Sequence, residues 1–342
     1  MKKDIKKIML TLMMLCMGVV SVGCSGGTDV KSDQAANTNK SSANQVDSLK
    51  IGVLRTIDSL PIYMADEKNY FTENGVKVEL VEFGSASDQS KAIESGAIDG
   101  MMTDMVVQHL LQKGGTDMRT VTTSLGATKA DGKFLVVASE DSGVEDIGDV
   151  KGKTVAISEN TMMEYLVDSY MSELNIDIND IEKVNIPSLS LRLETLLANK
   201  VDMAILPDPM GDLSLTKGCK SIINDTELDN NYSSTVIAFR KEVIDSKPDA
   251  VASFVKGFNQ AIDRINEKNP DDMDIRNMDF IYSVSNVPEE LQASWVVPTF
   301  TKNVVPSEDD TSSIGRWLVG KGLIEEEYSY DQIVDSSFIK EN

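Results

Sequence analysis

The sequence predicts an α/β protein in which two similar lobes each contain a sheet flanked by helices. Short apolar runs alternate with helical stretches along most of the chain, which favours parallel sheets. One outline (short helix, small turn, aspartate, apolar run, aspartate) ends at Asp104 and recurs about 104 residues later, ending at Asp208. The chain of 342 residues is long enough for two domains with their own cores. Two such units indicate a pair of lobes, each offering an aspartate at a strand end.

The first residues predict export. Lysines at positions 2, 3, 6 and 7 precede an apolar run from Ile8 to Val20, and Ser21-Val-Gly-Cys24 follows. This pattern is typical of a secretory signal, and the apolar run is shorter than a transmembrane helix needs. We therefore predict a signal peptide over residues 1–23. The Ser-, Asn-, Gln-, Lys- and Ala-rich stretch that follows predicts a flexible tether over residues 24–48.

The first lobe begins with a strand, a loop and a helix. Pro61 suits the first position of that helix, where its missing N–H is not needed, and Asn74-Gly75 ends the helix. Strands are predicted at Leu49–Leu54, Val76–Phe83, Asp99–Thr103 and Arg119–Leu125, and helices at Pro61–Phe71, Asp88–Ser95 and Met105–Gln112. The chain is expected to cross to the second lobe between Gly126 and Ala138.

The second lobe repeats this order and ends in a strand that carries Asp208. Strands are predicted at Phe134–Ala138, Lys153–Ile157, Glu182–Ile186 and Val201–Met210, and helices at Met162–Leu174 and Leu191–Asn199. Tyr232–Phe239 is predicted to be the return crossing. The remaining helices, Asp249–Asn266, Leu291–Val297 and Ile314–Gly320, are expected to pack on the first lobe. The predicted limits are 49–130 with 236–342 for the first lobe, and 131–235 for the second.

Composition excludes several functions. The formal net charge of −22 argues against nucleic acid as a partner, since a polyanion repels a chain of this sign. Only Cys219 remains in the predicted folded part, which leaves no intramolecular disulfide and no thiolate metal cluster. The single histidine, His109, lies in a helix-like apolar stretch and is interpreted as structural. We predict neither a metal nor a cofactor.

Several weak motifs occur in a specific order. They are Tyr70-Phe-Thr-Glu-Asn-Gly-Val76, the Gly84-Ser-Ala turn, Ala97-Ile-Asp99, Asp149-Val-Lys-Gly-Lys-Thr-Val155 and a strand ending in an acidic residue plus Pro209. In this order they resemble the solute-binding proteins of ABC importers in the nitrate/sulfonate/taurine and thiamine-pyrimidine-precursor group. The resemblance spans roughly residues 49–239 and implies a two-lobed, periplasmic-binding-protein-like type II fold with the ligand in the cleft between lobes.

Cys24 directly follows a glycine, which resembles the lipobox of bacterial lipoproteins. Ser21 stands where leucine is usual. The resemblance implies that Cys24 becomes the first mature residue and carries the lipid anchor. A plain cleaved signal with an incidental cysteine is the alternative.

Loops that follow the predicted strands are expected to line the cleft, because ligands lie outside the carboxyl ends of strands in such sheets. Hydroxyl and free N–H groups at helix starts can meet a ligand there, although Ser87, Thr161 and Ser188 can also cap their own helices. The predicted ligand-binding residues are Asp58, Ser59, Leu60, Ser85, Ala86, Ser87, Thr103, Asp104, Glu159, Asn160, Thr161 and Asp208.

The carboxylates on these loops discriminate among ligands. Arg55 is the only cationic candidate near the first two loops, so unpaired carboxylates would repel a bare sulfonate or nitrate, although helix N-termini offset part of this repulsion. An aminopyrimidine, or another heterocycle or amine with N–H donors, suits the acidic loops better. Aromatic side chains that could stack on a flat ring, each of which could instead belong to a core, are Tyr63, Phe83, Tyr165 and Trp295.

The sequence therefore predicts a lipid-anchored, extracytoplasmic receptor at the cell membrane, acting as a monomer. It is expected to capture a small polar organic molecule, either a pyrimidine or other heterocycle or a sulfonate-like compound, and to deliver it to an ABC permease and its ATPase. A sensory or scaffold lipoprotein with the same fold is the alternative, and a kinase gene beside this one would favour it. Catalysis is disfavoured. Related pyrimidine synthases use a histidine and a cysteine-rich motif, and this chain has one histidine and no cysteine cluster. An acid–base pair of Asp104 and Asp208 across the cleft is the remaining catalytic possibility.

Overall fold

The structure is a computed structural model that describes residues 47–129, 131–267 and 275–339. The predicted signal peptide, most of the predicted tether and Cys24 lie outside the described residues. Within them, no helix has the length and apolar character needed to cross a membrane.

Strands and helices alternate as the sequence predicts through most of the chain. The strands are β1 (Ser48–Val53), β2 (Lys77–Glu82), β3 (Gly100–Asp104), β4 (Met118–Leu125), β5 (Phe134–Ala138), β6 (Lys153–Ile157), β7 (Ile181–Asn185), β8 (Met203–Pro207), β9 (Lys220–Asn224) and β10 (Thr235–Arg240). The helices are α1 (Leu60–Glu67), α2 (Tyr70–Glu73), α3 (Ala86–Glu94), α4 (Met105–Lys113), α5 (Met162–Glu173), α6 (Leu189–Leu197), α7 (Met210–Thr216), α8 (Lys241–Ser246), α9 (Pro248–Asn266), α10 (Ile275–Val284), α11 (Glu308–Gly320) and α12 (Tyr330–Ile333).

The strands form two five-stranded sheets with the same architecture. Their orders are β2-β1-β3-β10-β4 and β7-β6-β8-β5-β9. In each, the first three strands are parallel and the fourth runs antiparallel to both neighbours. The antiparallel strands, β10 and β5, are those that follow a crossing between the sheets. This confirms the predicted two-lobed α/β fold and shows that both sheets are mixed. We call each sheet with its helices the first and the second lobe.

The repeated aspartates have different roles in the two lobes. Asp99 and Asp202 are equivalent, because their carboxylates accept the backbone N–H of Lys50 and Thr154 respectively, each at 2.8 Å. Each therefore fixes the start of a neighbouring strand. Asp104 and Asp208 are not equivalent: Asp104 is the last residue of β3, whereas Asp208 follows the last residue of β8.

Some predicted elements are wrong in their limits or type. The predicted helix Pro61–Phe71 is two helices, α1 and α2, because Asn69 adopts a left-handed conformation with φ of 62°. Leu291–Val297 is not a helix. It makes one turn, in which the backbone N–H of Trp295 donates to the Leu291 carbonyl at 2.8 Å. Pro298 disfavours helical geometry in the residue before it. The sequence interpretation missed α7, α8, α10, α12 and β9.

The first lobe is built on an aromatic core beneath α9. Phe254 is fully buried and stacks on Phe71 with ring centroids 4.8 Å apart, while Phe239 meets it edge-on at 5.4 Å. The last long helix was expected to pack on the first lobe, but Ile314 and Leu318 of α11 join the core of the second. This apolar face of α11 therefore spans both lobes, since α11 also packs against α4.

Candidate functional site

A cavity of about 850 Å³ lies between the two sheets. That volume suits a small organic molecule. Its first wall comes from the loops after β1, β2 and β3, and its second from the loops after β6, β7 and β8. Their lining segments include 54–58, 82–87, 102–104, 158–163, 187–190 and 207–208. The cavity therefore lies at the carboxyl ends of the parallel strands, where the sequence places the ligand.

Most of the predicted ligand-binding residues lie on these walls. The ten that line the cavity are Asp58, Ser85, Ala86, Ser87, Thr103, Asp104, Glu159, Asn160, Thr161 and Asp208. Ser59 and Leu60 do not line it and are fully buried. The Leu60 N–H is already bonded to the Ile57 carbonyl, so it offers no donor to a ligand.

The helix starts at the cleft are capped by hydroxyl side chains. Thr161 caps α5 by accepting the Met163 N–H at 3.2 Å, and Ser188 caps α6 by accepting the Leu191 N–H at 3.4 Å. The cap of α3 is Ser85, which accepts the Asp88 N–H at 3.2 Å. Capping by Ser87 is therefore wrong, because α3 begins two residues earlier than predicted.

Asp58 is an acid of the first wall. Its Oδ1 is buried and has no hydrogen-bond partner among the described residues. Burial raises the pKa of this carboxyl, although the nearby hydroxyls of Thr56 and Thr235 lower it in part. Removal from water disfavours the charged form. The Thr56 and Thr235 hydroxyls thus lie close enough to favour the ionised form, and a donor or a positive charge placed in the cleft would stabilise that form further.

Asp104 lies beside Asp58 and meets the second lobe. Its carboxylate caps α4 by accepting the Val107 N–H at 2.8 Å. Burial raises its pKa to about 6, and the charge of Asp58 adds to this effect. The backbone N–H groups of Val107 and Met162 oppose it. Met162 is the first residue of α5, so this acid of the first lobe faces a helix start of the second.

Asp208 is held by a residue from outside its own lobe. Its Oδ2 accepts a hydrogen bond from Nε1 of Trp295 at 2.7 Å, whereas its Oδ1 is buried without a partner among the described residues. Burial raises its pKa to about 6, and Trp295 and Lys133 oppose this. The Asp208–Pro209 peptide bond is cis.

All three basic side chains that line the described part of the cleft are already engaged. Arg55 pairs with Glu82 at 3.0 Å, and Lys133 pairs with Asp212 at 2.7 Å. Arg192 is 2% exposed and donates to the carbonyls of Ile186, Ile205 and Pro187. Burial lowers the pKa of Arg192 to about 10, which leaves it charged at neutral pH. Among the described lining residues, each of these basic side chains would therefore have to leave a present partner to pair with an anionic ligand.

Sequence reasoning missed Glu82, Lys133 and Arg192, which all line the cleft. Glu82 is the last residue of β2, so the rule that led to Asp104, that acids at the carboxyl ends of strands line the cleft, also applies to Glu82. Lys133 directly precedes β5. A basic residue among the leucines of α6 was the available signal for Arg192. Of the four predicted aromatic partners, Phe83 lines the cleft; Tyr63, Tyr165 and Trp295 are core residues.

The single histidine does not line the cleft. His109 is buried, and its Nδ1 lies 2.6 Å from the Met105 carbonyl. Burial lowers its pKa, so the ring is neutral at pH 7 and serves to hold α4. The described residues contain no cluster of three or more His, Cys, Asp or Glu side chains able to hold a metal ion.

The model of the NMT1/THI5-like family matches residues 56–272, more than half of the chain. A putative ABC transporter periplasmic binding protein of Brachyspira hyodysenteriae is 24% identical over 276 residues, which cover 78% of this chain and 75% of the relative. A putative aliphatic sulfonates-binding protein of Bacillus subtilis is 22% identical over 316 residues, 89% and 91% of the two chains. A 4-amino-5-hydroxymethyl-2-methylpyrimidine phosphate synthase of Aspergillus parasiticus is 35% identical over 96 residues, 28% and 27% of the two chains.

Solved structures show the same fold. The ligand-binding component of an ABC-type import system from Staphylococcus aureus superposes with a TM-score of 0.70 at 18% identity, covering 86% of this chain and 98% of that one. The periplasmic aliphatic sulphonate binding protein of Escherichia coli gives 0.69 at 17% identity, covering 84% and 96%. Both cover almost the whole of the solved chain, so the two-lobed architecture is shared along its length.

Proposed function

Because this chain belongs to the NMT1/THI5-like family, we propose that it is the extracytoplasmic substrate-binding component of an ABC importer, with a small polar molecule held between its lobes. The relatives that match along most of their length are named as binding proteins. In this function, a ligand that touches both walls stabilises the closed arrangement, and a permease with its ATPase receives it. No enzymatic step is part of the proposal.

The proposed ligand class rests on which described groups of the cleft have hydrogen-bond or ion-pair partners and which do not. Oδ1 of Asp58 and Oδ1 of Asp208 are buried and unpaired among the described residues, while all three basic side chains on these walls are engaged. A ligand with N–H donors or a positive charge supplies what the acids lack. A sulfonate brings only acceptors to the same oxygens. We therefore propose an aminopyrimidine-like heterocycle or another amine-bearing compound.

A sulfonate is the second candidate. The Bacillus subtilis relative is named as a sulfonate-binding protein, and the starts of α3, α5 and α6 all lie at the cleft. Backbone N–H groups and the helix dipole favour an anion at such positions. A zwitterion such as taurine could use both the acids and the helix starts.

Isothermal titration calorimetry with the purified, delipidated protein distinguishes these ligands. The panel consists of 4-amino-5-hydroxymethyl-2-methylpyrimidine, ethanesulfonate and taurine. The proposed ligand class predicts binding of the aminopyrimidine and none of ethanesulfonate. Binding of ethanesulfonate alone would assign the sulfonate function instead. Binding of taurine but not ethanesulfonate would show that the acids recognise the amine.

The pH dependence of binding follows from the acids. Asp104 and Asp208 have pKa values raised to about 6, so they are ionised at pH 7.5 and mostly protonated at pH 5. We expect the affinity for an amine whose charge is constant over this range to fall about tenfold or more as the pH falls through 6. Titrations at pH 7.5, 6 and 5 measure it. An affinity that is unchanged or rises towards pH 5 would exclude these carboxylates as partners of the ligand.

The same raised pKa values destabilise the folded protein at neutral pH. Each acid binds its proton more tightly when folded, so its unfavourable contribution is present above pH 6 and disappears below about pH 4. Ligand binding at these acids offsets that contribution. A hydrogen-bond donor in the ligand-free cleft would therefore be bound favourably by these carboxylates, in addition to any fit of shape.

We further propose that the mature chain is a monomer anchored by a lipid on Cys24 at the outer face of the membrane. In cells, Cys24→Ala is expected to move the protein from the membrane to the soluble fraction, because the thiol is the site of attachment. Cys219→Ala is the matched control, since Cys219 is a buried free thiol. Mass spectrometry of the mature N-terminus and membrane fractionation check this. A Cys24→Ala protein that stays with the membrane would contradict the anchor.

A sensory lipoprotein with this fold remains the alternative to an importer component. Deleting the neighbouring permease gene, where there is one, distinguishes the two functions. An importer component predicts that uptake of the bound compound is lost in that strain. A sensor predicts that uptake persists while the response to the compound depends on this protein.

A further inference from the structure

A segment that follows α10 ties the two lobes together. Residues 290–301, which we call the strap, have no regular secondary structure beyond turns. Leu291, Trp295, Val297 and Phe300 bury their side chains in the core of the first lobe. The strap is therefore packed as part of the first lobe.

Three polar contacts run from the strap towards the second lobe. Glu290 pairs with Lys217, which follows α7, at 2.9 Å. Trp295 donates to Asp208, which follows β8, at 2.7 Å. Thr301 donates to Asp131, in the crossing before β5, at 3.2 Å. The first pair is exposed and contributes little, whereas the Trp295 contact is shielded from solvent.

The Trp295 contact differs from the other two because its acceptor lines the cleft. Oδ2 of Asp208 is occupied by the indole N–H, and this leaves Oδ1 buried and without a partner among the described residues. The indole itself is 9% exposed and is fixed edge-on against Tyr282, with ring centroids 6.3 Å apart. One carboxylate thus faces both the other lobe and the ligand space.

Among the described residues, two charged side chains act on Asp208. Lys133 favours the ionised carboxylate and Asp212 disfavours it, and these two residues pair with each other. The indole N–H also favours the ionised form, because it donates to the charged oxygen. Loss of that N–H is therefore expected to raise the pKa of Asp208 above its present value.

We propose that Trp295 is a positioning residue that orients Asp208 towards the ligand and couples ligand binding to the arrangement of the two lobes. The indole holds one oxygen from the first lobe, and the ligand uses the other from the cleft. The inference rests on the proposed function for its ligand and on the strap contacts for the coupling.

The test compares Trp295→Phe with Trp317→Phe. Phenylalanine keeps an aromatic ring for packing but removes the N–H. Trp317 is a matched control, because its Nε1 donates to Asp168 at 2.9 Å and Asp168 does not line the cleft. The chain has two tryptophans, so the control variant retains Trp295 as its sole indole fluorophore.

For Trp295→Phe we expect about tenfold weaker binding of the aminopyrimidine, as for loss of a hydrogen bond to a charged group. We also expect the midpoint of the curve of affinity against pH to move to higher pH. We also expect a larger radius of gyration of the ligand-free protein in X-ray scattering. Trp317→Phe should match wild type in all three measurements, and its fluorescence should change on ligand addition.

The proposal would be overturned by a folded Trp295→Phe protein that has the wild-type affinity, the wild-type midpoint of affinity against pH and the wild-type radius of gyration. An equal loss in both variants would show a general packing effect and would overturn it too. If the wild type binds none of the panel, the proposed ligand class fails. The radius of gyration then still decides whether Trp295 couples the lobes.

Discussion

Asp58→Asn is expected to weaken binding of the aminopyrimidine about 10- to 100-fold, because a hydrogen bond to a charged group contributes about 1.5–3 kcal/mol. Oδ1 of Asp58 is buried on the cleft wall and has no partner among the described residues. Asparagine keeps the shape of the side chain but removes the charge. Its amide also presents a donor or a weaker acceptor where the ligand needs a carboxylate.

The same substitution should not lower stability. Burial raises the pKa of Asp58, so the charged form costs the folded protein free energy at pH 7. We expect the ligand-free Asp58→Asn protein to melt at or above the wild-type temperature. Asp66→Asn is the matched control, since Asp66 lies on the same lobe and does not line the cleft. Wild-type affinity in folded Asp58→Asn would remove Asp58 from the site.

Phe254→Ala should give the largest loss of stability, about 3–5 kcal/mol in the free energy of unfolding, as is typical when a buried phenylalanine is truncated. Phe254 is fully buried and contacts the rings of Phe71, Phe239 and Phe258. No single neighbour can fill the space that its ring leaves, because the surrounding side chains belong to α2, β10 and α9. The cavity therefore remains largely open.

Urea denaturation followed by circular dichroism measures this loss. Val296→Ala is the control, since Val296 is 72% exposed and its truncation is expected to change stability by less than about 0.5 kcal/mol. A Phe254→Ala protein that loses less than about 1 kcal/mol would show that the first lobe does not depend on this aromatic core. Ligand affinity of the folded variant should be close to wild type, because Phe254 does not line the cleft.

The sequence predicts the parts of the site that depend on local order. Strand periodicity and helix-start signals place Asp58, Asp104 and Thr161 after strands, and all three line the cleft, although Asp104 is the last residue of β3. The limits of the strands Phe134–Ala138 and Lys153–Ile157 match those of β5 and β6. These features need only a few neighbouring residues, so one sequence is sufficient.

Long-range contacts could not be predicted in this way. Trp295 reaches Asp208 across 87 positions of the chain, and nothing local distinguishes it from any other core tryptophan. The repeat indicates Asp104 and Asp208 as equivalents, but β3 ends at Asp104 whereas β8 ends one residue before Asp208. A slip of one residue changes the face on which a side chain lies, so one acid caps a helix and the other binds the strap.

The acids that the repeat singled out have thus acquired different expected roles. Asp104 lies on the cleft wall, caps α4 and faces the backbone N–H at the start of α5. Asp208 presents one oxygen to the cleft while Trp295 holds the other. A ligand that contacts both acids would bridge the lobes, and this is the arrangement that a closing receptor needs.

Native mass spectrometry of the freshly purified mature protein tests the central claim most directly, because a tight-binding receptor retains its ligand. We predict an added mass that fragments to a compound with amine or ring N–H groups, and its loss from Asp58→Asn but not from Asp66→Asn. A retained compound that has acceptors only, such as an alkanesulfonate, and that stays bound to Asp58→Asn would contradict the proposed ligand class.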